Sequence, residues 1–517
     1  MADGRWPIWP MVDMADGIRS PGHKCSMLEQ LIDTAIYSTI DARPLRFRSQ
    51  STNFSALDAR ADFLCASSAV VQSLYRAFAM DKTIRDVDDG ETQLFFLDRA
   101  KSRALRRKNL ENSLAARVWR NGEDSLHRAT KPVILLARCF ALFPVVGISS
   151  QDASGLHFRW FSRPMIFSFF IVGYSILIDL FTVLRTLKTG LTYYNTVDFV
   201  FLASLACIYV LFIQLAIKWP QFAYEWEIVE KHSNMFGYTR HLAKKFKILT
   251  FTIMVLALIE HVSSIATKVV DALPCTRNDS DIIEAYFLNS YKHIFTFIDY
   301  NAVIAFSVAL ITFIMSCAWN FMDVFIIVLS VAMTDRYRQF NQLLSTVNKK
   351  AMPVSFWRTM REAYNQLSYL TKLLDELLSP IVLLSFANNL YFICLQLLNS
   401  LKPMASTWHA TYFVYSFSYL VLRTMAVSLY AASIYDQSKQ PKAVLYSVPS
   451  ESYCTEVARL LNQVTSDDLA LTGCRFFSVT RTLVLTVAGT IVTYEIVLVQ
   501  FNAVSGDTKR NTTVECI

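Results

Sequence analysis

Hydroxyl and amide side chains recur at helical spacing along the last apolar segment of this 517-residue chain. They are Thr482, Thr486, Thr490, Thr493 and Gln500, and Gly489 and Val497 fall in the same sector. At about 100° per residue, these positions occupy an arc of about 80° on a helix. A polar stripe on an otherwise apolar helix predicts contact with water and ions in a pore rather than with lipid. Alternatively, the threonines bond to their own backbone carbonyls or hold neighbouring helices together.

A single helix with a polar stripe cannot enclose a water-filled pore. Several copies arranged around an axis would place identical stripes along one conduit, as closed cyclic symmetry allows. The stripe therefore predicts a homo- or hetero-oligomer.

The composition indicates an integral membrane protein. The chain is 53% hydrophobic and only 18% charged, with a mean hydropathy of +0.31, whereas soluble domains carry about 25% charged residues. Several apolar runs reach 18 residues or more, which is the length at which a helix can cross a bilayer. Their unbroken apolar character excludes a membrane β-barrel, whose strands alternate between apolar and polar residues.

Charge and cysteine patterns exclude several classes of function. The net charge of +8 arises in segments that flank apolar runs, where basic residues set membrane orientation rather than bind nucleic acid. The ten cysteines form no CxxC pair, and the chain contains no GxSxG or HExxH motif. We therefore expect no nucleic-acid partner, no metal, no cofactor and no enzymatic activity.

Seven apolar segments predict seven transmembrane helices in an all-α membrane protein. They lie at roughly 165–187, 196–217, 247–270, 300–332, 377–400, 410–434 and 476–501. The fourth is longer than a bilayer needs and should tilt or protrude. We expect a cytosolic, partly disordered N-terminal region at 1–130, a pre-membrane interfacial helix segment at 131–164, a seven-helix membrane domain at 165–502 and an extracellular tail at 503–517.

The distribution of basic residues predicts which terminus faces the cytosol. The loops after the second, fourth and sixth segments hold seventeen lysines and arginines, whereas the alternate loops hold four. By the positive-inside rule, the N-terminus is cytosolic and the C-terminus extracellular. The sequons at Asn278 and Asn511 then lie outside the cell as candidate glycosylation sites. This topology is opposite to that of a G-protein-coupled receptor.

Two short motifs carry a resemblance to a known family. The stretch Thr493–Phe501, TYEIVLVQF, resembles the TYhhhhhQF signature (h is hydrophobic) that ends the last helix of insect gustatory receptors. The stretch Cys139–Ile148, CFALFPVVGI, resembles the segment before the first helix in the sugar-receptor branch of that family. The resemblance covers residues from about 130 to 502.

The resemblance implies that residues 165–502 form a sugar-gated, non-selective cation channel in the plasma membrane of taste neurons. It implies a homo- or hetero-tetramer with other gustatory receptor subunits, embedded in membrane lipid, whose last helices line a central pore. Gln500 and Phe501 would form the gate, with Phe501 as a hydrophobic constriction, and Val497, Thr493 and Thr490 would line the pore. The alternatives are an odorant-type channel subunit of the related insect family or a small-solute transporter, although the chain shows no internal repeat.

Polar and aromatic residues near the predicted outer ends of the segments are candidates for sugar binding. They are Glu260, His261, Asp299, Asn301, Asn388, Asn389, Trp408, His409, Tyr412 and Tyr415. Aromatic faces and directional hydrogen bonds suit sugars, and polar groups at membrane depth usually face a cavity or the protein interior. Glu260 is the first choice and Asp299 the second, because a carboxylate at depth needs a partner. Alternatively, the aromatic residues form an interfacial belt and the histidines are structural.

Two opposite charges lie deeper, toward the predicted cytosolic half. Asp323 is in the fourth segment and Arg423 is in the sixth. An isolated charge at that depth is unfavourable, whereas a pair can be accommodated. We expect these two residues to pair and to hold the helices together.

Overall fold

Long α-helices make up most of the described chain, because in lipid every backbone N–H and C=O group must be satisfied within its own segment. The computed structural model describes residues 125–189, 193–232, 241–273, 282–400 and 407–504. In chain order, the helices are α1 (Leu126–Cys139), α2 (Arg163–Thr189), α3 (Tyr193–His232), α4 (Leu242–Ala272), α5 (Ile282–Ser290), α6 (Lys292–Phe295), α7 (Ala302–Thr346), α8 (Val354–Ser400), α9 (Thr407–Lys439), α10 (Pro441–Tyr446), α11 (Thr455–Ser466) and α12 (Arg481–Val504). Two short antiparallel strands, β1 (Val145–Val146) and β2 (His157–Phe158), lie between α1 and α2.

Six of the described helices are long and apolar enough to cross a membrane, namely α2, α3, α4, α7, α8 and α9. A seventh apolar helix, α12, has 24 residues, which at ~1.5 Å per residue corresponds to about 36 Å. The prediction of an all-helical membrane protein is confirmed, with the short β1–β2 pair as the exception in the described residues. Against the seven predicted transmembrane helices, the described residues contain six to seven apolar helices.

Three helices extend far beyond the predicted spans. α3, α7 and α8 have 40, 45 and 47 residues, whereas about 20 residues cross the hydrocarbon. The fifth span was predicted to start at 377, but α8 begins at Val354, because its added turns are amphipathic and continue the helix without continuing the apolar run. The last span was predicted from 476, but α12 begins at Arg481, since a bridge between Thr472 and Ser478 closes a turn there.

The extensions of α7 and α8 pack with α10 and α11 and continue the main hydrophobic core of the bundle. The ring centroid of Tyr364 lies 6.2 Å from that of Tyr337 and 5.6 Å from that of Phe340. Arg361 of α8 pairs with Glu456 of α11 at 2.5 Å. The face that α11 buries carries Val457, Leu460 and Val464. The long helices therefore have packed partners outside the apolar segments.

The segment before α2 inserts into the bundle. Phe143 is fully buried, and its ring centroid lies 5.2 Å from that of Trp219 in α3 and 5.4 Å from that of Phe325 in α7. Glu230 of α3 accepts a hydrogen bond of 3.3 Å from the first backbone N–H of α1 and pairs with Arg336 of α7 at 2.5 Å. Residues 131–164, predicted as an interfacial segment, thus include side chains that belong to the core.

Candidate functional site

One face of α9 carries polar side chains into the bundle. Tyr412, Ser416, Tyr419 and Arg423 are spaced four, three and four residues apart, so they lie on one side of the helix. Their hydrogen bonds reach α4, α7 and α8. We call these four residues the polar column, together with their partners Glu260, Gln396, Asn320, Asp323, Ser385 and Asn389.

The end of the polar column at Glu260 is half-buried, and we call it the open end. The Glu260 carboxylate on α4 accepts hydrogen bonds from Tyr412 Oη at 3.3 Å and from Ser416 Oγ at 3.0 Å. Ser416 Oγ accepts one from Gln396 Nε2 of α8 at 3.3 Å. Tyr415 donates to a backbone carbonyl of α4 at 2.9 Å. Three helices therefore meet at groups that can donate and accept hydrogen bonds, as recognition of a hydroxylated ligand requires.

The other end, which we call the sealed end, contains the deep charge pair. Arg423 Nε lies 2.9 Å from Asp323 Oδ2, and the two side chains are 4% and 0% exposed. Asp323 also accepts from Ser385 Oγ at 2.5 Å and from Asn389 Nδ2 at 3.3 Å. Arg423 Nη2 donates to Asn389 Oδ1 at 3.1 Å. The predicted pairing of Asp323 with Arg423 is confirmed.

Tyr419 lies between the two ends of the polar column. Its hydroxyl donates to Asn320 Oδ1 at 2.9 Å, and Arg423 donates to the same oxygen. The Arg423 guanidinium also lies 5.3 Å from the ring centroid of Trp319. Removing one partner of such a buried pair costs about 3–5 kcal/mol, so the sealed end holds α7, α8 and α9 together.

Three further candidates lie beside the open end. Trp408 and His409 are about one turn before Tyr412 on α9, and Trp408 is 49% exposed while His409 is half-buried. The imidazole of His261, next to the open-end glutamate in sequence, has its ring centroid 5.1 Å from that of Phe313 in α7. The open end is therefore bordered by aromatic side chains from three helices.

The remaining candidates have other surroundings. Asn301 is the N-cap of α7, where its side chain accepts a hydrogen bond of 2.9 Å from a backbone N–H of the first turn. Asp299 is exposed in the turn before α7. Asn388 is buried and accepts from Ser204 of α3 at 2.9 Å, whereas Asn389 belongs to the sealed end. Of the ten candidates, the structure brings Glu260 and Tyr412 into direct contact.

Sequence reasoning missed Ser416, Tyr419, Asn320 and Ser385, which complete the polar column. Serine and tyrosine are common in helices, so neither residue type stands out alone. The available signal was the spacing on α9, which repeats at the period of one helix face and ends at a charged residue.

A group of charges lies near the open end. Lys268 of α4 interacts electrostatically with Asp198 of α3 and with Glu260. Burial lowers the pKa of His293 in α6 from 6.5 to about 4, and the nearby Arg185 and Lys268 act in the same direction. This imidazole is therefore neutral at pH 7. Among the described residues, no group of three or more His, Cys, Asp or Glu side chains is arranged to hold a metal ion.

The threonine stripe of α12 lies on the outer surface of the bundle. Thr482, Thr486, Thr490 and Thr493 are exposed, whereas Val484 on the opposite face is buried. The hydroxyls of the last three threonines donate to backbone carbonyls of the preceding turn at 2.9–3.0 Å. These bonds agree with the alternative in which the threonines bond to their own backbone. Because the stripe is exposed, it can also face a pore or a neighbouring chain.

The turn before α12 and the first residue of α12 are bonded to the two helices that carry much of the polar column. Thr472 donates to the Asp375 carboxylate of α8 from its backbone nitrogen at 2.6 Å and from its hydroxyl at 3.0 Å. Arg481 Nε lies 2.5 Å from Asp436 Oδ2 of α9. A change in the packing of α8 against α9 would therefore reach α12 directly.

Several predicted residues fall outside what the structure describes. α12 passes through positions 497, 500 and 501, but the side chains of Val497, Gln500 and Phe501 are outside the described residues. The sequon asparagines Asn278 and Asn511 are also outside, as are residues 1–124. The predicted gate and the two glycosylation sites therefore stay predictions.

The described helices define a multi-pass membrane protein with the fold of an insect olfactory receptor. The structure of olfactory receptor OR5 from Machilis hrabei in complex with eugenol matches with a TM-score of 0.56 and 14% sequence identity, covering 73% of this chain and 98% of that chain. A second OR5 structure from the same organism gives a TM-score of 0.55 at 14% identity, with the same coverage. At this identity the similarity concerns the fold alone.

Sequence similarity identifies the family. The family profile described as "Trehalose receptor" matches residues 110–515. The chain is 36% identical over 389 residues to the Drosophila melanogaster gustatory receptor for sugar taste 64f, covering 74% of this chain and 81% of the relative. It is 35% identical over 392 residues to the gustatory receptor 5a for trehalose from the same organism, covering 74% and 86%. The chain belongs to the trehalose receptor family, the sugar-taste branch of the insect gustatory receptors, and is a multi-pass protein of the plasma membrane.

Proposed function

We propose that this chain is a subunit of a cation channel that opens when a sugar binds at the open end of the polar column. The ligand class is supported by relatives named for sugar taste and for trehalose. The observation that carries the proposal is the half-buried Glu260 carboxylate, which accepts hydrogen bonds from Tyr412 and Ser416.

The open end has the chemistry that a sugar needs. A sugar hydroxyl can donate to the Glu260 carboxylate and accept from a neighbouring hydroxyl, and the rings of Trp408 and Tyr412 offer apolar faces to its C–H groups. Lys268 of α4 also interacts electrostatically with this carboxylate. Millimolar affinity corresponds to about −4 kcal/mol, which a few net hydrogen bonds of about 1 kcal/mol each plus apolar contact can supply.

The ion pathway is proposed to run along α12. Four chains around one axis would turn their exposed threonine stripes toward a common pore, with Thr490 and Thr493 on its wall and Val497 further along. Gln500 and Phe501 would form the gate at its outer mouth, where Phe501 excludes water when the pore is closed. The chain is threaded with a cytosolic N-terminus and an extracellular C-terminus, which the distribution of basic residues supports.

Sugar binding would open the pore because the open conformation binds the sugar more tightly. The polar column lies between α4, α7, α8 and α9. The turn before α12 is bonded to α8, and the first residue of α12 is paired with α9. A shift of α9 caused by a sugar at Glu260 would therefore be transmitted through Asp436 and Arg481 to the pore helix.

The test is a recording of whole-cell current in cells that express only this chain, during application of a panel of mono- and disaccharides. We expect sugar-evoked cation current. Glu260→Gln keeps the size of the side chain but removes its charge, and should raise the half-maximal sugar concentration at least ~10-fold, or about 1.4 kcal/mol. Glu451→Gln, which removes an exposed carboxylate on a short 3₁₀ turn, is the matched control and should leave it unchanged.

Surface labelling of the same cells separates loss of function from loss of protein. Normal surface amounts without current, both alone and with related subunits, would contradict channel function. Equal responses of the Glu260→Gln and Glu451→Gln chains would contradict the binding site. Full wild-type gating after Gln500→Ala and Phe501→Ala together would contradict the gate, and labelling of a C-terminal tag only after permeabilisation would contradict the orientation.

A further inference from the structure

The residues just before α2 combine exposed aromatic rings with exposed arginines. Phe161 is 97% exposed and Trp160 is 53% exposed. Arg159 precedes these two aromatic residues and Arg163 follows them, and both arginines are exposed. We call residues 157–163 the aromatic–basic segment. An exposed aromatic pair flanked by cations needs a partner that offers both an apolar phase and negative charge.

The aromatic–basic segment is held in one conformation by the β1–β2 pair. Val145 pairs with Phe158, and Val146 with His157. In the loop that joins the two strands, the backbone at Gly147 closely approaches that of Gly155, and an added Cβ at Gly147 would lie 2.0 Å from a backbone oxygen. Gly147 also has a φ of +87°, so this position requires glycine. The loop is also fastened to α3 by a hydrogen bond of 2.8 Å between the Glu227 carboxylate and a backbone N–H of the loop.

Ring stacking fixes the indole of Trp160 on the outside of the protein. Its ring centroid lies 5.1 Å from that of Phe158, edge to face, and 6.3 Å from that of Phe169 in α2, nearly parallel. Phe161 projects beyond these three rings, as its exposure shows. The paired strands and the ring of Trp160 are therefore held in place before a partner binds, which lowers the entropic cost of binding.

The position of the segment indicates what this surface meets. α2 is a membrane-spanning helix that begins at Arg163, so the residues just before it lie at the boundary between hydrocarbon and headgroups. The exposed side chains Ile166, Phe169 and Phe170 continue from Trp160 along the lipid-facing side of α2. The aromatic surface is thus continuous with the surface that the bilayer covers.

We infer that the aromatic–basic segment is a docking surface for anionic phospholipid headgroups, with Trp160 and Phe161 inserted at the interface and Arg159 and Arg163 paired with headgroup phosphate and carboxylate. Arginine suits this task because its planar fork matches these oxyanions. In the proposed orientation the surface faces the cytosolic leaflet, which is the leaflet rich in anionic lipid.

The experiment uses the purified full-length chain in a non-ionic detergent, so it requires neither channel activity nor a known orientation. The melting temperature is measured while phosphatidylserine or phosphatidylcholine is titrated into the micelles. We expect a larger rise with phosphatidylserine. In Arg159→Gln with Arg163→Gln, the half-saturating phosphatidylserine concentration should rise at least ~10-fold, whereas Arg159→Lys with Arg163→Lys should remain closer to wild type.

Matched controls separate this surface from general charge effects. Lys349→Gln with Lys350→Gln removes two exposed cations in the turn between α7 and α8, and should leave the half-saturating concentration within about twofold. Phe161→Ser changes a side chain that is almost fully exposed, so the fold should survive while lipid binding weakens. Inorganic phosphate and soluble glycerophosphoserine should protect wild type far less than the lipid does.

Three results would overturn the proposal. The first is an equal response of the Arg159/Arg163 and Lys349/Lys350 double variants to phosphatidylserine. The second is equal protection by soluble phosphate and by lipid together with an unchanged Phe161→Ser variant, because that pattern defines an anion site without a membrane role. The third is a loss of oligomer rather than of lipid dependence in Phe161→Ser, because the surface would then bind a second copy of the chain.

Discussion

The sealed and open ends of the polar column use the same residue types in different surroundings. At the sealed end, Asp323 and Arg423 are 0% and 4% exposed. Asp323 also accepts from Ser385 and Asn389, and Arg423 also donates to Asn389. At the open end, the carboxylate of Glu260 is half-buried, and its hydrogen-bond donors are neutral hydroxyl groups. Both carboxylates lie in apolar segments of the chain, yet only one has a cation in direct contact in the described structure.

This difference teaches which carboxylate is available to a ligand. Removing one partner of a buried ion pair strongly destabilises the folded protein, because the other charge is left buried and unpaired. Asp323 is therefore committed to its pair with Arg423 and is not free to bind a ligand. Hydroxyl donors such as Tyr412 and Ser416 are exchangeable for the hydroxyl groups of a sugar at small net change in free energy. The comparison therefore assigns stability to the sealed end and supports the proposal that the open end binds the ligand.

The largest expected effect comes from breaking the sealed end. Asp323→Arg or Arg423→Asp alone leaves like charges buried together and should destabilise the protein by at least about 3–5 kcal/mol, so surface labelling should detect little protein. The double swap Asp323→Arg with Arg423→Asp should restore part of the surface amount. Asp299→Arg, a charge reversal at an exposed site, is the control. Normal surface amounts of both single variants would refute the structural role of the pair.

The second prediction concerns pH at the charges beside the open end. The pKa of His293 is lowered from 6.5 to about 4 by burial, with Arg185 and Lys268 contributing. The unfolded chain therefore binds a proton near pH 6.5, before the folded chain does, and stability falls as the pH falls from 6.5 toward 4. The loss approaches about 3 kcal/mol. Tyr291, whose ring lies 6.2 Å from His293, is uncharged in this range.

The measurement is the melting temperature of the purified chain between pH 7 and pH 4. His293→Asn should flatten the decrease, because asparagine takes up no proton. His241→Asn, which changes an exposed histidine before α4, should leave the slope as in wild type. An identical slope in wild type and in His293→Asn would show that other groups cause the acid sensitivity.

Hydropathy predicted the positions of the apolar segments well, but it predicted the ends of the helices that contain them less well. Hydropathy located α2, α4 and α9 to within a few residues, because a long apolar run has few alternatives to a membrane helix. It did not locate the start of α8 at Val354, because amphipathic turns beyond the bilayer follow a different pattern from the span they extend. Whether a helix continues from the bilayer into water depends on its tertiary packing. The part of α8 before the apolar span continues because it packs against α11.

The candidate site shows the same limit. Glu260 and the Asp323–Arg423 pair were found because a charge at membrane depth is rare and demands a partner. The hydroxyl groups of Ser416 and Tyr419 were missed because they become informative only when α9 is placed against α4 and α7. Asn301 was selected as a polar residue at a segment end, but that position is also where helix caps occur, and the structure shows it capping α7.

A smaller effect should come from a matched pair of Tyr→Phe changes at the two ends. Tyr419→Phe removes a buried hydroxyl that donates to Asn320 at 2.9 Å and should destabilise the protein by about 1–1.5 kcal/mol without changing the half-maximal sugar concentration. Tyr412→Phe removes a longer bond of 3.3 Å to Glu260 and should destabilise by less than 1 kcal/mol, roughly, while raising the half-maximal sugar concentration severalfold. Melting curves measure the loss of stability, and current recordings measure the half-maximal sugar concentration. If Tyr419→Phe raised that concentration and Tyr412→Phe did not, the roles assigned to the two ends would be reversed.

The smallest expected effect distinguishes a helix cap from a ligand contact at Asn301. Asn301→Ala removes the side-chain acceptor from the first turn of α7 and should lower stability by about 0.5–1 kcal/mol. Asn301→Asp keeps an acceptor oxygen and adds a negative charge, which a helix N-terminus favours, so its melting temperature should equal or exceed that of wild type. If Asn301 only caps α7, both variants keep the wild-type half-maximal sugar concentration. If the half-maximal concentration rises in Asn301→Asp while its stability is intact, the amide itself contacts the sugar, and the open end extends from Glu260 to the start of α7.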